Sequence, residues 1–181
     1  MAGDLFAGIP IPADLINGNH DVSLASTVDP RAETARLGLR LCENVEHVDV
    51  DGIRLVMMDS SVPDVDIGRW SHLRPEVCDA VAHADGPAMV LVHHQPQHFP
   101  VPTYLPRGIP SFSAIPFARA VARANPSTMG TSGHTHRHRR HNIAGLTWSE
   151  VGSPKDYPGT WAGYVVHEGG IRQVVRRVST P

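Results

Sequence analysis

Three short polar segments of this sequence carry side chains that bind metal ions. They are Gly18-Asn19-His20-Asp21, His93-His94-Gln95-Pro96 and Gly133-His134-Thr135-His136. Imidazole nitrogens and carboxylate or amide oxygens suit Zn, Mn or Fe, and the third segment presents two imidazoles on one loop. Two divalent ions about 3.5 to 4 Å apart can orient and activate a water for attack on phosphorus. The sequence therefore predicts metal-dependent phosphoester chemistry.

Each segment follows an apolar run, which is the pattern of a strand that ends in a polar loop. Residues 88–92 read as a central strand buried on both faces, and His93 follows directly. A short strand is expected after Thr128, and Leu15-Ile16 precede Gly18. Because open α/β sheets carry their sites at the carboxyl ends of strands, we expect the three segments to meet at one edge.

The other elements complete an alternating pattern of strands and helices. Asp51-Gly52 is typical of a two-residue hairpin turn. Helices are predicted over residues 32–41 after Asp29-Pro30, over 75–84 from Pro75, and over 117–124 after Pro116. Antiparallel strands are predicted over 146–151, 163–167 and 171–178. This order predicts a layered α/β domain.

Composition sets limits on the kind of protein. The 181 residues are 41% hydrophobic and 19% charged, which predicts one globular domain over residues 1–181. A net charge of -2 gives no general reason to expect nucleic acid or an anionic membrane as partner, and Arg137 to Arg140 read as a charged strand edge. Two cysteines and no secretion signal favour a reducing cytoplasm.

The three segments, in this order, resemble the calcineurin-like metallophosphoesterase superfamily. Its pattern is Asp-x-His, Gly-Asp, Gly-Asn-His-Asp or Glu, a His before a proline, and Gly-His-x-His. The resemblance implies a β-sandwich flanked by helices and two divalent ions, Mn, Fe or Zn. It implies Asn19 and His134 as ligands of the second metal, His136 as a ligand of the first, His20 as general acid, and Asp21 as the group that holds the His20 ring.

The choice between His93 and His94 stays open in the second segment. His93 is preferred as a metal ligand because it directly follows the apolar strand. His94 would point away under strand alternation, toward substrate or solvent. The spacing to Pro96 fits either residue.

The first family segment is missing from this sequence, since no Asp-x-His lies upstream of Gly18. Gly3-Asp4 resembles the second segment, which would make Asp4 the ligand that bridges both metals. We therefore expect an N-terminally truncated version of the family domain, with a nearly complete second metal site and a reduced first one. A genuine short form with an impaired first site is the alternative.

Two functions follow from these patterns. The first is hydrolysis of a small phosphoester, most of all a phosphodiester, because Asp59-Ser60-Ser61-Val62-Pro63 resembles the branch with class III cyclic nucleotide phosphodiesterases. The second is a non-catalytic metal-binding scaffold that retains the fold, which the missing segment favours. The substrate, the metal and the oligomeric state are not determined by the sequence.

Because one metal site lacks its expected ligands, metal analysis of this chain should find about one equivalent of divalent ion per chain. The measurement is elemental analysis after loading with Zn or Mn and removal of free ion. Two full equivalents would contradict the inference drawn from the missing segment.

Overall fold

The computed structural model describes residues 12–99, 105–157 and 159–178. Asp4 lies outside these residues. The described chain is a mixed α/β fold with the element order β1 (Asp14–Leu15), α1 (Pro30–Arg36), β2 (Arg40–Leu41), β3 (Val45–Val50), β4 (Ile53–Met58), α2 (Arg74–Ala82), β5 (Ala88–Val92), α3 (Ser111–Ala124), β6 (Thr128–Ser132), β7 (Arg139–Ile143), β8 (Leu146–Glu150), β9 (Thr160–His167) and β10 (Gly170–Arg177). None of the helices in these ranges has the length and apolar character needed to cross a membrane.

A six-stranded sheet in the order β3-β4-β5-β6-β8-β7 organises the fold. Strands β4, β5, β6 and β8 are parallel, while β3 and β7 are antiparallel strands at the two edges. The predicted hairpin is confirmed, since β3 and β4 join through Asp51 at φ 45° and Gly52 at φ 85°. The carboxyl ends of four neighbouring strands therefore lie along one edge.

Helices α2 and α3 cover one face of this sheet. Alternate residues of β4 and β5, such as Val56 and Val90, form one apolar core with Val77 of α2 and Phe117 of α3. The Trp70 ring stacks on Phe117 with 4.3 Å between ring centroids. This packing keeps the parallel strands rigid beneath the loops that leave them.

The β9–β10 hairpin forms a separate two-stranded sheet. The Tyr164 hydroxyl of β9 lies 2.7 Å from Thr131 Oγ1 and 3.1 Å from Ser149 Oγ. Thr131 and Ser149 alternate along their strands with Gly130 and Trp148, and Trp148 belongs to the core on the helix side. The hairpin therefore contacts the sheet face opposite the helices.

Two predicted helices have bounds that differ by more than two residues in the structure, whereas α2 differs from its prediction by one residue at its start and two at its end. Helix α1 ends at Arg36 rather than 41, because Gly38 turns left-handed at φ 67° and residues 40–41 become β2. Helix α3 begins at Ser111, so Pro116 lies inside the helix and does not open it. Proline is tolerated there because the carbonyl that it leaves unpaired belongs to Phe112, in the exposed first turn.

The strand predicted over residues 146–151 was expected to be antiparallel, and this is correct for only one neighbour. Strand β8 pairs antiparallel with β7 but parallel with β6. The β7–β8 hairpin turns back so that β8 runs in the direction of β6 and is inserted beside it. Local alternation of polarity does not reveal such an insertion.

Replacement of Phe117 with Ala should lower the free energy of unfolding by about 3 to 5 kcal/mol, because it opens a cavity under Trp70. The same change at Phe112 is the matched control, since that side chain of the same helix is 83% exposed. Urea unfolding of both variants measures the difference. Equal losses of stability would contradict the assignment of the buried face.

Candidate metal centre

The first and second polar segments meet the third at the carboxyl edge of the sheet, as predicted. His93 directly follows β5, and His134 follows β6 after one residue. The His93 Nε2 atom lies 3.1 Å from His134 Nδ1 and 3.1 Å from the Asn19 side-chain oxygen. Asn19 is 7% exposed. Three segments separated by up to 115 residues therefore contribute polar atoms to one point.

The neighbours of these side chains determine which atoms face the centre. The Nε2 of His134 donates to the Arg107 carbonyl at 3.1 Å, so its Nδ1 carries a lone pair. The Asn19 amide nitrogen donates to Asp66 at 3.1 Å, which turns the Asn19 oxygen toward His93. His93 Nε2 holds at most one hydrogen between these two acceptors. At least one lone pair is therefore left without a hydrogen, which is the arrangement a cation completes.

The spacing of these atoms fits a shared metal ion. Two ligand atoms about 2.1 Å from a tetrahedral ion lie about 3.4 Å apart. The observed separations of 3.1 Å are close to this value. His93, His134 and Asn19 thus fit a divalent ion by both donor type and distance.

Burial keeps the imidazoles neutral. Desolvation, followed by the nearby His134, lowers the pKa of His93 to about 4. Desolvation also lowers the pKa of His134 below its usual range. A metal ligand must be deprotonated to bind, so both rings are in the binding form at neutral pH.

His94 joins the same group rather than pointing to solvent. Its side chain is fully buried, with Nδ1 2.8 Å from Ser60 Oγ, and its Nε2 atom has no hydrogen-bond partner among the described residues. One nitrogen each of His93, His94 and His134 lies within 4.8 Å of the other two. The expectation that His94 meets solvent is wrong, because the chain turns after β5 and packs the ring against Gly68. Both histidines of the pair therefore line the centre.

His136 is not among the three histidines whose nitrogens lie within 4.8 Å of one another. Its side chain is 43% exposed, and its Nδ1 pairs with the Asp156 carboxylate. His134 and His136 both have left-handed backbones, at φ 65° and 54°. Non-glycine residues rarely adopt this conformation, and it persists where surrounding contacts enforce it. The role of His136 as ligand of a first metal stays a prediction.

A buried carboxylate enforces the shape of this histidine loop. Thr135 donates its hydroxyl to Glu150 at 2.6 Å, and Glu150 is fully buried at the end of β8. The Thr135 backbone N–H also donates to the Gly133 carbonyl at 2.8 Å. These bonds hold the residue between the two histidines and so fix how His134 enters the centre.

The long loop after β5 supplies the Arg107 carbonyl. Two backbone hydrogen bonds join the ends of this loop. The Ile109 N–H donates to the Gln95 carbonyl at 2.8 Å, and the Gln97 N–H donates to the Ile109 carbonyl at 2.9 Å. A side chain at Gly108 would lie 1.9 Å from the Gln95 carbonyl, so only glycine permits this approach. The pairing brings Arg107 over His134.

His20 and Asp21 are exposed in the turn after Asn19. The Asp21 carboxylate accepts the Gly18 N–H at 2.8 Å, which closes this turn. The turn therefore presents His20 beside the buried Asn19. The proposed roles of His20 as acid and of Asp21 as its holder stay predictions.

Sequence reasoning missed four polar partners of the centre. They are Ser60, Asp66, Glu150 and Asp156. Ser60 carried a usable signal, because Asp59-Ser60-Ser61 follows β4 at the same sheet edge. The other three depend on loop and strand pairings that the sequence pattern does not reveal.

Comparison with known proteins shows a likeness to solved structures. No family model matches the chain, and no curated protein matches it. A solved structure described as "Putative 5'-Nucleotidase from Staphylococcus aureus in complex with alpha-ketoglutarate" superposes with a TM-score of 0.50 at 14% identity, over 91% of this chain. The two chains share a fold. This chain spans 36% of the length of that protein.

Replacement of Thr135 with Ala should weaken zinc binding about tenfold or more, since residues that orient a ligand contribute this much. It also removes a donor from the buried Glu150, at a cost of about 1 to 3 kcal/mol. Thr135→Ser keeps the hydroxyl and is the matched control. Competitive zinc titration and urea unfolding measure both effects, and equal zinc affinity of the two variants would contradict the proposed role of the bond.

Proposed function

We propose that this chain binds a divalent metal ion through His93, His134 and Asn19 and hydrolyses small phosphoesters. The observation that carries the proposal is the convergence of His93 Nε2, His134 Nδ1 and the Asn19 oxygen at separations of 3.1 Å. Hydrogen bonding leaves at least one lone pair there without a hydrogen. Hydrolase chemistry also agrees with the fold shared with the nucleotidase described above.

The metal ion would neutralise the phosphoryl oxygens, whose negative charge repels a nucleophile. It would also lower the pKa of a water molecule, so that hydroxide is available at neutral pH. The residues around the centre hold the metal-binding side chains in position. Asp66 orients the Asn19 amide, the Arg107 carbonyl fixes the His134 tautomer, and Thr135 with Glu150 holds the loop. These contacts preorganise the donor atoms before any ligand arrives.

His20 would donate a proton to the leaving oxygen. Its position next to Asn19 in the sequence supports a place beside the metal centre, and its exposure would let it meet a bound ester. A histidine has an ordinary pKa near 6.5 and so can act as an acid near neutrality. Asp21 closes the turn that presents His20, and it is the nearest carboxylate in sequence that could hold the His20 ring.

A finer assignment is also proposed. The three segments and residues 59–63 support membership of the calcineurin-like metallophosphoesterase superfamily, as a single domain of layered sheets, with a phosphodiester as substrate. His136 and Asp4 would then serve a first metal. The pairing of His136 with Asp156 supports a place for that ion near the loop end, since both side chains offer metal ligands.

The His20→Ala variant should lose at least about 100-fold in turnover of diphenyl phosphate, whose phenolate leaving group needs a proton, because this is the usual contribution of a general acid. It should keep its metal, because His20 is not among the converging donors. His47→Ala, an exposed histidine on β3, is the matched control and should keep full activity. Hydrolysis is followed by phenol release with and without a chelator.

Two results would overturn parts of this proposal. Turnover that continues in the presence of a chelator would show that the reaction does not require a metal ion. Metal binding without turnover in the unaltered chain would instead favour the binding scaffold, for which His20 has no role.

A further inference from the structure

A cavity of about 320 Å³ opens beside His20 and Asp21. Its walls are largely aliphatic and come from Leu15, Ile16, Val28, Leu37 and Leu41. The metal centre does not use any of these five residues. The volume is at the lower end of the range for pockets that hold small molecules.

The frame of this cavity is held by the short parallel pair β1–β2 and by helix α1. Leu15 pairs in register with Leu41, and the Cys42 N–H donates to the Leu15 carbonyl at 2.8 Å. The buried Thr34 hydroxyl bonds the Pro30 carbonyl at 2.8 Å within α1. Leu15 and Leu41 therefore belong to paired strands, while Ile16 and Leu37 directly follow β1 and α1 and Val28 lies in the loop before α1.

The charges around the cavity decide what it can accept. Among the described residues that line it, Asp21 and Glu33 are acidic and none is a lysine or arginine. Glu33 pairs with Arg36 at 2.6 Å on the exposed side of α1. Only His20 among the described lining residues can become a cation, and it is adjacent in sequence to the Asp21 carboxylate, which would repel a second anionic group, so an uncharged apolar group is favoured.

The turn at residues 19–21 connects this cavity to the metal centre. Asn19 reaches His93 with its oxygen, and the next two residues line the cavity. A phosphoryl group at the metal centre would thus have its ester oxygen near His20 and its substituent directed to the aliphatic walls.

We infer that this cavity is the leaving-group subsite and that the chain selects phosphoesters whose leaving group is apolar and uncharged, such as an aryl or alkyl alcohol. The inference rests on the proposed function. It separates this substrate class from phosphoesters with a second phosphate or carboxylate on the leaving group.

Binding of phosphonates to the zinc-loaded chain tests the inference without requiring turnover. Calorimetric titration should give about tenfold or more tighter binding for phenylphosphonate than for methylphosphonate, because the ring buries additional apolar area. The anionic 2-carboxyethylphosphonate should bind no tighter than methylphosphonate. This comparison uses the unaltered protein and therefore does not depend on the folding of a variant.

A charge variant sharpens the test. Leu37→Lys places a cation in the cavity wall, so it should reduce the preference for phenylphosphonate at least about threefold and tighten 2-carboxyethylphosphonate by a similar factor. Leu24→Lys is the matched control, because Leu24 is 81% exposed and outside the cavity, and it should behave like the unaltered chain.

The outcomes are distinct. Equal binding of phenyl- and methylphosphonate, or the same effect from both lysine variants, overturns the inference and leaves the proposed function standing. Zinc binding without binding of any phosphonate overturns the proposed function and the inference together.

Discussion

The arrangement of this edge depends on the convergence of lone pairs from His93, His134 and Asn19. Such a cluster is unfavourable without a cation, because buried acceptors face one another with at most one hydrogen among them. It persists because two of the three side chains are held from outside, His134 by the Arg107 carbonyl and Asn19 by Asp66. The six-stranded sheet provides the fixed base, since β5 and β6 end side by side.

Residues around these three side chains are also held in place by hydrogen bonds and packing. His94 is held by Ser60 and packed on Gly68, and Glu150 holds Thr135 between two residues with left-handed backbones. A fully buried carboxylate would be costly without hydrogen bonds. Glu150 lies under the histidine loop, where its hydrogen bond to Thr135 keeps the geometry of the loop fixed. The two sides of the turn at residues 19–21 therefore differ in polarity. One side faces the polar atoms of His93 and His134, and the other faces the aliphatic cavity.

The sequence was sufficient to predict the α/β class, the central strand before His93 and the meeting of three polar segments at one edge. These follow from local patterns, namely apolar runs that end in polar residues. The early end of α1 at the left-handed Gly38 was a local signal that the prediction passed over. The sequence could not predict that β8 is inserted beside β6 or that Arg107 returns over His134. Those features depend on pairings between distant residues, and Glu150 and Asp156 became visible as site residues only through them.

Anomalous diffraction from crystals loaded with zinc tests the central claim most directly. We expect one strong peak of anomalous density from zinc, about 2.1 Å from both His93 Nε2 and His134 Nδ1, with the Asn19 oxygen or His94 Nε2 nearby. Zinc found only on exposed histidines such as His47, with His93 and His134 still 3.1 Å apart and unligated, would contradict it.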